Sequence, residues 1–525
     1  MMQNTTWYKI TNIEKSIKDK TEIRELIARK LKIIPSEIVE TILFRESLDA
    51  RNKRNLKFIY TAIFRLRDDK TKIRHKSLSL YEPPKPPELT SFLELSLRPV
   101  IVGTGPAGLF AALALVEKGY RPVIFERGNR VAQRIKDVRE LWNHRKMNGN
   151  SNVQFGEGGA GTFSDGKLTA RNQDYFTGQV LNRLVRFGAP EEILYKQRPH
   201  IGTDQLRLIV PRIREFLISA GAEFHFGKSV TRIEVKNGEI TGIRFNDESL
   251  ETSSLILAIG HSSRDTYTAL NRAGVHLEAK PFAIGVRIEH PHSFIDRAQY
   301  GKHCDFSITG AADYKLTYNW TAGNRGVYSF CMCPGGEVVL SASGANQVVT
   351  NGMSNFARNA RFSNAGLVVT VKPDDYPDGA LAGVQFQEEI EQRAFRLGNG
   401  VFDAPAQTAL DFVKNRPGDS LKKSSFRPGL AAVEMTRILP QFICDALKAG
   451  LQAFERRIPG FINEGLLIAP ETRTSAPVRI LRDPDSFESV NIRGLFPIGE
   501  GAGYAGGIVS SAADGLKLGF RAKAV

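Results

Sequence analysis

The sequence predicts an α/β protein. It has one parallel strand–turn–helix–strand unit, a strand-rich meander, an inserted region of mixed α and β, and a small α+β unit in front. Three observations carry this. Residues 97–128, LRPVIVGTGPAGLFAALALVEKGYRPVIFERG, read as an apolar strand, a G-x-G-x-x-G turn, an Ala/Leu-rich helix and a second strand ending on an acid. Residues 228–260 read as short alternating strands, then an apolar strand ending in Gly260. Residues 494–520 read as another strand leading through a Gly-rich turn into a helix.

Residues 1 to about 80 form the front unit. Tyr8–Ile10 is a short strand. Ile23, Leu26, Ile27 and Leu31 recur at helical spacing, so Glu22 to Leu31 is an amphipathic helix. Ile38–Phe44 and Lys57–Phe64 are rich in β-branched and aromatic residues and read as strands. Between them Leu48-Asp-Ala-Arg-Asn-Lys-Arg is a basic stretch with little aromatic interleaving. YEPPKPPEL, Tyr81 to Leu89, is too rich in proline for a helix or a central strand and reads as a linker.

The next unit is of the kind that holds a dinucleotide. Pro99 to Val102 is the first strand, Pro106 to Lys118 the helix and Pro122 to Phe125 the second strand. Gly103 permits the tight turn, Gly105 lets the backbone approach a pyrophosphate, and Gly108 lets the helix pack hard on the strand. The helix N-terminus offers N–H groups and partial positive charge to phosphate. Glu126 lies 18 residues beyond Gly108, where a carboxylate accepts bonds from ribose hydroxyls. A carboxylate there repels a 2′-phosphate and so argues against NADP as the occupant.

A polar, partly helical segment then runs to about Met147. NGNSNVQFGEGGAGTFSDGKL, Asn148 to Leu168, offers bare backbone N–H groups and close approach, as a cofactor-cradling loop requires. Its Gly156, Gly158 and Gly161 repeat the glycine spacing without a surrounding βαβ unit. Asp204 to Ala220 is a helix and Glu223–Phe226 a strand. Asn237-Gly238 is a hairpin turn inside the meander, and Leu255–Ile259 is a buried strand. From Leu277 to Pro484 strands such as Phe282–Ile288, Val327–Met332 and Val338–Ser341 mix with helices at Gly383–Leu397 and Pro440–Arg456. Finally Gly494–Gly499 is a strand, Glu500 opens a turn carrying Gly501, Gly503 and Gly506, and Ile508 to Phe520 is a helix. An acid there can bond a ribityl hydroxyl, while the helix N-terminus stabilises negative charge at a flavin N1–O2 edge.

The nucleotide unit, Leu257-Ala258-Ile259-Gly260 and Gly499-Glu500 before a Gly-rich helix together resemble FAD-dependent oxidoreductases with a single Rossmann domain. More narrowly, NSNVQFGEGGAGTFSDGKL, LAIGHSSRDTY, KPFAIGVRIEHP, SFCMCPGGEVV and GEGAGYAGGIVSSAADG resemble a bacterial family of FAD-utilising dehydrogenases. The resemblance spans Leu97 to Phe520, and residues 20–65 look like that family's N-terminal extension. It implies noncovalent FAD. Gly103, Gly105, Pro106, Ala107 and Gly108 would meet the pyrophosphate. Glu126 would hold the AMP ribose, with Arg127 beside it, and Val230 would bond adenine through its backbone. Gln154, Phe155, Gly158, Gly159, Ala160, Gly161 and Thr162 would pass along the flavin. Glu500, Gly506, Gly507 and Ile508 would contact the ribityl chain and ring, with Ala258, Gly260 and Gly499 as further cofactor contacts. Many related flavoproteins carry Asp where this chain has Glu500. The implied domains are 1–85, an N-terminal α+β accessory domain; 95–276 with 485–525, the FAD-binding domain; and 277–484, an inserted substrate or cap domain.

Composition narrows the remaining classes. At 525 residues, 42% hydrophobic and 24% charged, the chain is a soluble globular protein long enough for two to four domains. Four cysteines without regular spacing give no disulfide framework, which favours a reducing compartment. No signal-peptide core opens the chain and no run of 18 or more apolar residues occurs, so the expected location is cytoplasmic with no membrane span. Half of the net charge of +16 falls in residues 1–90, permitting a nucleic-acid or acidic-partner surface against the plain alternative of a solvated basic face. Cys331-Met-Cys333 could be a redox dithiol or half a metal site; no second Cys or His pair completes a zinc site and the helix after Gly108 carries no paired cysteines, so the pair reads as structural thiols. Asp165 and Lys167 follow the Gly-rich loop and are the candidate proton donors near the ring. His200, His261 and His290 read as structural hydrogen-bonding residues. The expected chemistry is hydride transfer between flavin N5 and a small-molecule substrate, with NAD(P)H as a transient co-substrate. The alternatives are an FAD-dependent RNA-modifying enzyme and a non-catalytic flavin-binding sensor.

Overall fold

The computed structural model describes residues 6–68, 73–89, 92–169, 174–302, 304–418 and 420–525. In the front unit, strands β1 (Tyr8–Ser16), β2 (Ile38–Asp49), β3 (Lys57–Leu66) and β4 (Leu78–Leu80) form one sheet in the order β2-β3-β1-β4. Helix α1 (Ile23–Leu31) lays Ile27, Ala28 and Leu31 against Ile10, Ile13, Ala62 and Phe64 of that sheet. The strands run further than their β-rich cores suggest, so Arg51, Lys53 and Arg54 sit in the β2–β3 connection. The outer edge of β2 is not free: Glu46 N–H donates to the Tyr195 carbonyl at 2.8 Å, and Gln197 N–H donates to the Glu46 carbonyl at 2.9 Å.

The nucleotide unit contributes β5 (Val100–Val102), α2 (Pro106–Val116) and β6 (Val123–Glu126). After it come α3 (Val131–His144), α4 (Tyr175–Arg186), α5 (Thr203–Ser219) and β7 (Glu223–Phe226). The meander is β8 (Val230–Lys236), β9 (Glu239–Phe245) and β10 (Glu248–Glu251). Asn237 and Gly238 between β8 and β9 both adopt the left-handed conformation, φ 53° and 77°, as a type I′ turn demands. β11 (Leu255–Leu257) then joins a five-stranded sheet in the order Leu495–Pro497, β11, β5, β6, β7, whose pairings are all parallel. α2 is apolar all round, and residues Ala107 to Leu115 are buried. The helix Ile508–Arg521 crosses α2 closely: a Cβ on Gly515 would stand 2.1 Å from the Ala107 carbonyl oxygen, and one on Gly519 would stand 2.4 Å from Ala114 Cβ. The helices α4 and Arg264–Arg272 have no counterpart in the sequence reading.

The chain leaves this sheet and returns to it through two paired antiparallel strands, Leu277–Ala279 and Val478–Ile480. Between them lies a seven-stranded sheet. Its order is Thr317–Trp320, Arg325–Cys333, Phe362–Val371, Phe282–Pro291, Leu466–Glu471, Ala404–Thr408, Leu430–Ala432. Only the last pair is parallel. The long helices Ala382–Leu397 and Gln441–Arg457 bury Ile390, Ala394, Leu447, Leu451 and Phe454 in the same core as Ile284, Val286, Leu367 and Val369 of that sheet.

Candidate functional site

The site grows from the end of β5. Gly103 has φ 106°, and its N–H donates to the Phe125 carbonyl at 2.8 Å; a Cβ there would lie 2.5 Å from the Ala258 carbonyl oxygen. A Cβ on Gly108 would lie 2.0 Å from the Gly103 carbonyl oxygen, so α2 can start this close to the strand only with glycine. Gly105 differs. Its φ is −68°, open to any residue, and the nearest atom to an added Cβ is Gly159 Cα at 3.9 Å. Neither backbone strain nor packing requires glycine at 105; it leaves open space at the N-terminus of α2, beside Pro106 and Ala107.

Glu126 is buried, and each of its oxygens already accepts two bonds. One takes Thr104 N–H at 3.0 Å and the Thr104 hydroxyl at 2.7 Å; the other takes Gly128 N–H at 2.9 Å and Gly156 N–H at 3.0 Å. The carboxylate expected to serve ribose hydroxyls therefore also ties the glycine turn to the Gly-rich loop. Beside it Arg127 pairs with Asp265 at 2.9 Å and lies 4.3 Å from the centre of the Phe155 ring.

The Gly-rich loop is held by a residue that the motif reading passed over. Arg134, fully buried on α3, donates to the carbonyls of Asn152 (2.8 Å), Val153 (2.9 Å), Gly156 (3.2 Å), Glu157 (2.7 Å) and Gly159 (2.9 Å). Burial pushes its pKa down to about 9, against the opposing pull of Glu126 and Glu157. Glu157 is itself buried and accepts from Val131 N–H at 2.7 Å and Arg214 at 2.6 Å. The available signal was an arginine on the inward stripe of an amphipathic helix, in register with Val131, Val138, Leu141 and Trp142.

So fixed, the loop passes between two helix N-termini. Gly158 N–H donates to the Thr104 carbonyl at 3.0 Å, and a Cβ on Gly159 would stand 3.0 Å from Gly105 Cα. A Cβ on Gly161 would meet Ile508 Cγ1 at 3.2 Å, next to Ala160 in the short turn Ala160–Phe163. The Thr162 hydroxyl donates back to the Glu157 carbonyl at 3.1 Å. Gln154 points away, its amide donating to Ser341 and accepting from the Ser262 hydroxyl at 3.1 Å. Val230 is buried at the start of β8, and Ala258 N–H bonds the Val102 carbonyl at 2.9 Å.

At the C-terminal side, Gly499 has φ 78°, and a Cβ there would strike Ala107 Cβ at 2.6 Å. Glu500 is half-buried. Burial lifts its pKa to about 7, while the Gly507 N–H and Lys280 oppose the rise. Added Cβ atoms on Gly260, Gly506 and Gly507 would meet nothing within 4 Å. The structure thus brings together a helix N-terminus, bare backbone on several sides and a half-buried carboxyl on a glycine turn. These residues fit an extended dinucleotide: backbone for its phosphates, open space for its body and a carboxyl for a hydroxyl of its chain.

Asp165 and Lys167 are placed differently from expectation. Asp165 is buried and accepts from the Ser354 hydroxyl, from Arg358 and from Lys167 Nζ at 2.7 Å. Burial opposes its charge, but Lys167 and Arg358 outweigh that and hold it well below the usual carboxylate range. Paired with Lys167 and Arg358, Asp165 is favoured as the charged carboxylate, which counts against its serving as a donor. Lys167 also reaches the Met332 carbonyl. Burial opposes its charge too, yet Asp165 and the neighbouring Cys333 raise its pKa above the ordinary value. Burial raises the Cys333 thiol above its ordinary value, while Cys331 is exposed. All four cysteines are unbridged, and no group of three or more metal-capable side chains occurs among the described residues. His200 and His290 bond the carbonyls of Phe356 (2.9 Å) and Phe461 (2.8 Å), and burial lowers both to about 4; burial and Arg473 lower His261 to about 3.

An α/β nucleotide unit with an inserted sheet and this cradle defines a protein built to hold an extended dinucleotide. Residues 281–474 match the family described as "FAD-dependent protein, C-terminal domain-like", residues 101–163 match "NAD(P)-binding Rossmann-like domain", and residues 8–65 match a domain of unknown function, DUF8436. An uncharacterised protein of Clostridium beijerinckii is 44% identical over 519 residues, covering 97% of each chain. The chain belongs to the family of that protein, a family of FAD-dependent proteins, and its cofactor is FAD. Among solved structures, L-amino acid deaminase from Proteus myxofaciens in complex with anthranilate is 11% identical, covers 82% of this chain and 92% of its own, and has a TM-score of 0.33. CtdE in complex with FAD is 13% identical, with coverage of 81% and 82% and a TM-score of 0.30. No activity passes from either to this chain. No helix among the described residues is long and apolar enough to cross a membrane.

Proposed function

We propose that the protein is an FAD-dependent oxidoreductase that binds its cofactor noncovalently and moves a hydride between flavin N5 and a small-molecule substrate, with NAD(P)H as a transient donor. The open space in front of Gly105, where neither strain nor packing calls for glycine, carries the reading. When bound, FAD supplies a two-electron acceptor that no side chain can replace. The chain's own residues bind and orient. The first turn of α2, Gly105 to Gly108, holds the pyrophosphate with its free N–H groups. Glu126, its four acceptor positions taken by Thr104, Gly128 and Gly156, keeps the glycine turn and the Gly-rich loop in register beside the AMP ribose, while Val230 meets adenine. Gly158 to Thr162, Gly260 and Gly506 to Ile508 leave room for the chain and ring. Glu500, partly protonated near neutral pH, can donate to or accept from a ribityl hydroxyl. Lys167, kept charged by Asp165, is the proton donor that we assign beside the loop; Asp165 is its positioning residue.

Purified protein should show a flavin spectrum, release FAD on acid treatment, and bleach anaerobically with NADH, NADPH or a member of a metabolite panel. Release of FMN or NAD instead of FAD would overturn the cofactor reading. A bound FAD that neither pyridine nucleotide nor panel member reduces would favour a flavin-binding sensor.

A further inference from the structure

We propose that a cavity of about 220 Å³ beside the Gly-rich loop is a binding site for a small organic carboxylate with a flat apolar body. Its walls come from α3, α5 and the connections near Gly335 and Asn355, and none of the residues assigned to FAD lines it. Three guanidiniums converge there, Arg139, Arg207 and Arg427, against one carboxylate, Glu337, which pairs with Arg427 at 2.8 Å. Arg207 has no ion pair among the described residues. Its buried Nε has no hydrogen-bond partner, and its Nη2 sits 3.9 Å from the Met353 sulfur, a weak acceptor. Asp204, near Arg207 in the chain, spends an oxygen on the Phe356 N–H at 2.7 Å. Burial, then repulsion from Arg139, pulls the Arg207 pKa below its ordinary value. A bound anion would offset both effects.

Shape narrows the anion. Trp142 and Phe163 meet edge to face, centroids 6.2 Å apart at 88°, and both line the cavity. The Trp142 N–H is spent on the Leu340 carbonyl at 2.9 Å, so the rings add no donor to the cavity; Arg134 lies 4.9 Å from the Phe163 ring centre and Arg427 5.5 Å from that of Trp142. Arg207 lies 4.5 Å from the Phe163 ring centre. A carboxylate on Arg207 therefore places its apolar body against these rings. The volume is below the roughly 300–1,000 Å³ of drug-sized ligand sites, which points to a small molecule.

The test is calorimetric titration of the FAD-loaded protein with benzoate and, at equal ionic strength, with inorganic phosphate. Benzoate should saturate one site, with phosphate much weaker. Arg139 is exposed and has no ion pair among the described residues, so Arg139→Gln should fold normally. It should weaken benzoate by about tenfold, about 1.4 kcal/mol, with flavin content unchanged. Arg207→Gln should weaken it further; if that variant loses its flavin, Arg139→Glu gives the second measurement and should abolish binding. No saturable binding of benzoate, equal binding of phosphate, or benzoate binding unmoved by the Arg139 variants would each overturn the proposal.

Discussion

At the scale of single residues the site rests on two that differ in kind. Gly105 serves by leaving space. Gly105→Val has no φ penalty to meet at −68°, so its effect reads the cradle directly. A β-branched side chain there should abolish FAD binding while the melting temperature of the flavin-free protein stays within a few degrees of wild type. Undiminished FAD in that variant would sink the cradle assignment. Glu500 serves by its partial burial. Its folded pKa of about 7 lies above its ordinary 4.5, so the folded state holds the proton more tightly than the unfolded chain. That contribution is fully present below about pH 4.5 and is lost as pH rises through 7. Flavin-stripped protein should therefore lose stability between pH 5 and 7, by at most about 3 kcal/mol from this group. Glu500→Gln should flatten that part of the pH–stability curve; an unchanged slope would show that the carboxyl titrates normally.

At the scale of elements, the Gly-rich loop owes its course to α3. Arg134→Met removes five hydrogen bonds to loop carbonyls, and a buried polar group left unpaired costs about 1–3 kcal/mol. The variant should lose several kcal/mol of stability and most of its flavin, and chemical denaturation with flavin quantitation would measure both. A stable variant with full FAD content would mean that the loop holds itself. This dependence marks what the sequence discloses and what it hides. The β5–α2–β6 unit was legible because each residue answers a local demand: turn, close approach, helix start. The Asn237-Gly238 hairpin was legible for the same reason. Arg134 was hidden because its partners are carbonyls 18 to 25 positions away, which no side-chain motif advertises. The inserted sheet was hidden likewise. Its neighbours Phe282–Pro291 and Leu466–Glu471 are far apart in the chain, and strand propensity does not encode pairing order. Asp165 and Lys167 were singled out by position after the loop, but their ion pair and the reach of Lys167 to the Met332 carbonyl were not legible there.

At the scale of the whole molecule, the front unit is a sheet-and-helix body with its own apolar core, joined to the rest by the segment Tyr81–Leu89 and by the edge of β2. None of the residues assigned to FAD belongs to it. We propose that it is separable: a chain beginning at residue 92 should keep FAD at wild-type stoichiometry, though exposing the segment around Tyr195 should lower its melting temperature. Flavin analysis and a melting curve decide this, and a colourless, unfolded product would show that the β2 edge is indispensable.

The parallel sheet sets a timetable as well as a shape. Its edge strand Leu495–Pro497 pairs with β11, and Gly499 and the helix Ile508–Arg521 pack against α2, made about 400 residues earlier. On the ribosome, the first half of the cradle therefore emerges long before its other wall, and the inserted sheet is synthesised in between. Until residues 495–521 have emerged, α2 lacks the helix that buries its Ala107 side, and the nascent chain has only half a cradle for FAD. Cofactor capture is thereby a late event in the life of each chain, coupled to the docking of its last helix rather than to the folding of its nucleotide motif.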